Sequence, residues 1–141
     1  MLIDNDDLLA NKRIKQVIKA LENKDQDALK SLFSKQALTE TDDFEGSIDY
    51  LFEFFQGKVK SYNGHAGPID EEFENGKKLK EIKSAYYVTT DKQRYVFFLI
   101  DYPVNTFEPD NVGLYTLRVT NFEEDISWQE RKIPGIYKPA D

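Results

Sequence analysis

The sequence predicts an α+β domain, with three N-terminal helices packed on a curved, cone-like antiparallel sheet of four to five strands. Three observations carry this. Apolar residues recur at helical spacing up to Phe55. Two aromatic and β-branched runs then flank the polar break Thr89-Thr90-Asp91-Lys92 within residues 84–102, the pattern of a hairpin. Between the two regimes stands Gly57, where a helix would stop.

The first helix follows an acidic opening at residues 4–7 that offers N-caps. Ala10, Ile14, Val17, Ile18 and Leu21 form its apolar face. Lys12, Arg13, Lys15 and Lys19 come after the acids, an order that suits the helix dipole. Asn23-Lys24-Asp25 breaks the helix, and Asp25 caps a short second one whose buried set is Ala28, Leu29, Leu32 and Phe33. Residues 34–43 read as irregular or as one further helical turn. The third helix carries Ile48, Leu51, Phe52 and Phe55 on one face, with Tyr50 and Phe54 beside them, and is expected to be the most buried of the three.

Residues 58–62 read as a short strand and 63–68, with two glycines and a proline, as a loop. Residues 69–78 stay unassigned. In the hairpin, a turn centred on the polar break puts Tyr86 opposite Tyr95, Ser84 opposite Phe97 and Ile82 opposite Leu99. The other face then holds Lys83, Ala85, Tyr87, Arg94, Val96, Phe98 and Ile100. The face with the two cations is taken as outward. A two-proline loop at 103–111 leads to a strand at 112–120 with Tyr115, Leu117 and Val119 inward, and 128–133 reads as a last edge strand. With no repeats or linkers, residues 1–141 are expected to form a single domain.

At 40% hydrophobic and 32% charged residues, the composition is that of a soluble globular chain. A net charge of −7 disfavours nucleic acid and anionic membrane surfaces as partners, and leaves a basic protein partner open. There is no cysteine, which excludes disulfides and thiolate chemistry. No apolar run reaches the ~20 residues of a membrane span, and Met-Leu-Ile-Asp is not a signal peptide, so the expected location is cytoplasmic, or exported and lipid-anchored if a leader has been trimmed. His65 is the only histidine and lies in a Gly-rich stretch without a nucleophile-elbow signature, so it reads as an ordinary loop residue. The acidic groups at 4–7 and 40–43 lack the glycine and distal glutamate of a calcium loop. No metal, cofactor or catalytic residue is assigned.

Ala20-Leu21-Glu22-Asn23-Lys24-Asp25 followed by Ala28-Leu29-Lys30-Ser31-Leu32-Phe33-Ser34 resembles the opening of the nuclear-transport-factor-two-like (SnoaL-like, cystatin-like) superfamily. The segments 50–57, 111–114 and 134–139 are similar to an uncharacterised bacterial family of unknown function, many of whose members look like exported lipoproteins. The resemblance implies a cone-shaped hollow and, in catalytic relatives, an Asp inside it. Asp101 shares the inward parity of Tyr95, Phe97 and Leu99. It is either a base in the hollow or, more plainly, the partner of Lys80, which the same register places opposite. Tyr86, Tyr95, Phe97, Asp101 and Tyr115 are the candidate ligand-binding residues, although the tyrosines could equally fill the core. Val96, Phe98 and Ile100, left on the outward face, are the candidate homodimer interface. The expected function is non-catalytic binding of a small ligand or peptide in an aromatic-lined cone. An immunity protein neutralising a bacterial toxin, or a SnoaL-like isomerase or dehydratase using Asp101, are the alternatives that the resemblance implies.

Overall fold

Four helices precede a five-stranded sheet in which every neighbouring pair is antiparallel and the spatial order follows the chain. The computed structural model describes residues 5–122 and 133–139. The helices are α1 (Asn5–Glu22), α2 (Gln26–Leu32), α3 (Lys35–Glu40) and α4 (Phe44–Phe54). The strands are β1 (Val59–Glu74), β2 (Lys77–Thr90), β3 (Arg94–Asn105), β4 (Gly113–Asn121) and β5 (Gly135–Ile136), with a short 3₁₀ turn at Pro109–Asn111 before β4.

The helices end where their capping groups predict. The Asp25 carboxylate accepts from Ala28 N–H and opens α2, and Asp43 accepts from Gly46 N–H and opens α4. Ser34 opens the extra helix α3 by accepting from Ala37 N–H, while its own hydroxyl donates to Asn111 Oδ1. The Lys24 ammonium donates to Phe55 O at the far end of α4, where the dipole favours a cation. All five apolar positions read from the sequence of α1 are buried, together with Ala20. This helix is the one laid against β1 and β2. The Phe-rich helix α4 meets β5 and brings Phe54 and Phe55 to β3. Tyr50, expected beside the buried stripe, is exposed.

The hairpin faces stand as expected, but the register moves by two residues: Tyr86 lies opposite Phe97, Ser84 opposite Leu99 and Ile82 opposite Asp101. The cause is Thr90. Its N–H donates to Gln93 O, and its hydroxyl accepts from Lys92 N–H and Gln93 N–H while donating to Gln56 O. The turn is therefore Asp91-Lys92, one residue later than its expected centre. A shift of two preserves parity, so no side chain changes face.

Three other expectations are corrected. Residues 63–68 form no loop; they run within β1, an edge strand, where the irregularity at Gly67-Pro68 is absorbed in a break of register between Ala66 and Ile69. The unassigned 69–78 is the end of β1 and the start of β2, joined by Asn75-Gly76, both with positive φ. In β4, Tyr115 is the unpaired extra residue of a bulge, so Leu114 turns inward and is fully buried opposite Asp101. The expected edge strand at 128–133 lies almost wholly outside the described residues. The last strand seen is Gly135–Ile136, paired with Leu117 and Arg118. Gly135 has φ +145°, and a Cβ there would sit 2.0 Å from Leu117 O, so the close pairing demands glycine.

Three of the four register breaks align across the sheet, the fourth lying between Val59 and Ser61. β1 slips against β2 between Ala66 and Ile69, β2 against β3 between Lys80 and Ile82, and β3 against β4 between Ile100 and Asp101. All three fall at the level of Ile82, Ser84 and Asp101.

Candidate functional site

Of the five residues expected to bind a ligand, three fill the core. Tyr95 and Phe97 pack on Phe55, with ring centroids 4.9 and 5.7 Å apart respectively, and both are essentially inaccessible. The Tyr95 hydroxyl accepts from Gln56 N–H at 2.8 Å and donates to Phe54 O at 3.1 Å, tying the exit of α4 to the sheet. Tyr86 donates to Asn11 Oδ1 at 2.6 Å, and burial pushes its hydroxyl up to about 12, helped by the charge of Asp7. Tyr115, carried out of the inward row by its bulge, stacks edge-on against Tyr102 and donates to the Glu40 carboxylate. Its pKa also rises to about 12, through burial first and then Glu40, while the same hydrogen bond holds the Glu40 carboxyl below its ordinary value.

Two of the five border a cavity: Tyr86 lines an open one of about 270 Å³ with Asn11, Lys15, Tyr62, Asn63 and Gly64, and Asp101 borders a second. The second lies between α1 and the inner face of β2 and β3, is partly open to solvent and has a volume of about 150 Å³. Leu9, Ala10, Ile82, Leu99 and Pro103 supply its apolar wall, with Lys12, Arg13, Gln16, Ser84 and Asp101 as polar groups. No aromatic ring lines it, whereas Tyr62 and Tyr86 line the neighbouring one.

The expected Lys80–Asp101 pair does not form. With the register moved, Lys80 faces Val104 and pairs with Asp6 and, at 3.7 Å, with Glu71. The hydrogen bond that Lys80 donates to Asp6 raises its pKa above the ordinary value. Asp101 is held instead from α1: Arg13 Nε donates to Oδ2 at 2.6 Å and Nη2 to Oδ1 at 3.4 Å, while Nη1 donates to Gln16 Oε1 at 3.2 Å. Both side chains of the pair are about four-fifths buried or more. A two-point guanidinium–carboxylate contact of this kind fixes orientation as well as charge.

Ser84 is 4% exposed and lies on the cavity wall, and its hydroxyl finds no hydrogen-bond partner among the described residues. Its oxygen is not among the buried side-chain atoms left without a partner, so it is reached through the cavity mouth and is free to bond what enters there.

Arg13 and Ser84 carried signals in the sequence. Arg13 stands three residues after Ala10 and four before Val17, on the buried face of α1, where a cation needs a partner. Ser84 is a polar residue at an inward position of the central hairpin.

On the opposite face of the sheet, Val96, Phe98 and Ile100 are half-buried. Val96 and Phe98 line a groove of about 390 Å³ with Arg118, Thr120 and Ile133. His65 is exposed on β1. Among the described residues there is no cluster of His, Asp and Glu able to hold a metal ion, and no helix long and apolar enough to cross a membrane.

A family model described as a domain of unknown function (DUF5104) matches residues 16–124. The chain belongs to this family. The DUF5104 match opens inside α1 at Gln16 and closes just past β4, so it takes in Ser84, Leu99 and Asp101, while Arg13 precedes it by one helical turn. No curated protein matches the chain.

Proposed function

We propose that this protein is a non-catalytic binding domain that takes a small molecule into the cavity between α1 and the sheet. The observation that carries the reading is the open Ser84 hydroxyl, 4% exposed, on the wall of a 150 Å³ void beside an ordered ion pair. Drug-sized ligands occupy about 300–1,000 Å³. A void of about 150 Å³ admits something near the size of benzene. The ligand is therefore a compact molecule rather than a folded peptide segment.

Asp101 weighs against the catalytic alternative. Both of its oxygens are engaged by Arg13, so neither is placed to take a proton from a substrate. For the chain as a single domain we propose the nuclear-transport-factor-two-like fold, supported by helices on one face of an antiparallel sheet bent by aligned bulges. Val96, Phe98 and Ile100 are proposed as a contact between two copies, and light scattering that gives a strict monomer at micromolar concentration would remove that role.

The binding reading is tested by a fragment screen followed through backbone amide shifts, with Ser84→Leu as the control. The cavity has room for the added carbons, so the variant folds while its site is filled. Shifts clustered at Ser84, Leu99 and Asp101 in the native chain and absent in the variant are expected. Fragments that cluster elsewhere, or shifts unchanged by Ser84→Leu, defeat the reading.

A further inference from the structure

We infer that the cavity selects a small monocarboxylate carrying a compact apolar body. This rests on the binding reading above and gives it a ligand class.

The charges on the cavity wall do not cancel. Lys12 and Arg13 bring two positive charges and Asp101 one negative. Arg13 is spent on Asp101, whereas Lys12, at the exposed rim, has no ion-pair partner among the described residues. One positive charge is therefore left over at the mouth. Hydrogen-bond capacity is left over as well. A guanidinium has five N–H groups, and three of them are engaged, two by Asp101 and one by Gln16. The remaining two have no partner among the described residues, and a carboxylate oxygen suits them in geometry and charge. The Ser84 hydroxyl provides a further donor.

Apart from the neutral Gln16 amide, the remaining surface of the cavity is aliphatic. Leu9, Ala10, Ile82, Leu99 and Pro103 offer neither donors nor charges to a second polar end. A dicarboxylate would bury its second charge unpaired against them, a cost that apolar contact does not recover. A cation meets the surplus positive charge, with Asp101 already occupied. Volume limits the apolar part to about one six-membered ring or a short branched chain.

The test is titration of the full chain with benzoate, benzamidine and benzyl alcohol, three probes of similar shape that differ in charge, followed through amide shifts. Benzoate is expected to bind at least tenfold more tightly than benzyl alcohol, and benzamidine not measurably, with shifts at Ser84 and Leu99. Ser84→Ala is expected to weaken benzoate about tenfold. Lys12→Gln, an exposed change that leaves packing intact, is expected to weaken it several-fold and to reduce its salt dependence. If benzyl alcohol or benzamidine shifts those amides and benzoate does not, the carboxylate class is wrong and the cavity reading stands. Benzoate binding that is indifferent to both variants, or no shift from any of the three probes at about 10 mM, which would fill most of a site of about 1 mM affinity, also overturns the class. The Ser84→Leu fragment screen decides separately whether the cavity binds anything.

Discussion

Replacing Arg13 by Met strands the Asp101 carboxylate against Leu99, Ile82 and Pro103. The side chains of the pair are only 21% and 15% exposed. At an effective dielectric of about 20 and a charge separation of about 4 Å, their attraction is about 4 kcal/mol. Desolvation offsets much of that, so the net worth of the pair is small, yet removing one partner from a buried pair costs about 3–5 kcal/mol. Residual exposure lets water reach the stranded carboxylate, which brings the expected loss for Arg13→Met to about 2–3 kcal/mol. Asp101→Asn should cost a similar amount. The double variant should cost little more than either single one, giving a coupling energy of about 2 kcal/mol. The assay is urea unfolding of all four proteins at neutral pH, read as a change of midpoint at constant slope. A second cycle serves as control: Lys80→Met and Asp101→Asn should be additive within about 0.5 kcal/mol, because the two side chains share no partner. Coupling below about 0.5 kcal/mol for Arg13 and Asp101 would refute the claim that this pair fixes the cavity wall. Coupling of Lys80 to Asp101 would refute the register.

Gly135→Ala forces a Cβ to within 2.0 Å of Leu117 O at φ +145°, so it should detach β5 and cost about 2 kcal/mol or more, seen as a fall in Tm. Tyr95→Phe removes the bonds to Gln56 N–H and Phe54 O from a buried site, and should cost about 1–2 kcal/mol in the same urea assay. Stability should also fall at alkaline pH. Tyr86 and Tyr115 are held up to about 12, against about 10 in an unfolded chain. The native state thus keeps protons that the unfolded state loses, so this contribution is complete below about pH 10 and disappears between about 10 and 12. Urea midpoints that stay flat from pH 9 to 11 would contradict this, and the double change Tyr86→Phe with Tyr115→Phe should flatten the fall.

The parts of the fold legible in the sequence were those set by period and parity. Ala10, Ile14, Val17, Ile18 and Leu21 announce the buried face of α1 because 3.6-residue spacing places them together. Tyr86, Tyr95, Phe97 and Leu99 were assigned inward correctly even though the register was two residues off, because only parity sets the face. What escaped depends on single residues that override local pattern. Thr90 moves the turn by accepting from Lys92 N–H and Gln93 N–H while donating to Gln93 O and Gln56 O. Gly67 and Pro68, which punctuate a chain strongly, are carried inside β1 because an edge strand leaves one side unpaired. Asn75-Gly76 was the missed signal, since that dipeptide is a strong mark of a two-residue hairpin turn. Within the candidate site, the inward parity of Asp101 was legible and its partner was not. Lys80 lay near in the hairpin, whereas Arg13 is 88 residues away and comes close only through packing of α1.

The cavity also coincides with a feature of the backbone, beyond the choice of side chains. At one end of the hollow Phe55, Tyr95 and Phe97 fill the space between α4 and the sheet with rings that touch one another. At the other end the wall is built from smaller groups, Ala10, Ser84 and Pro103 among them, and here all three ladders lose register at one level. Bulges increase twist and bend a strand, and three of them stand in line on the cavity's side of the sheet. Random loose packing would leave apolar walls and satisfied polar groups. This gap instead contains an anchored carboxylate, guanidinium N–H groups to spare and a hydroxyl with no protein partner, groups that a complementary ligand engages on entering, which stabilises the folded chain.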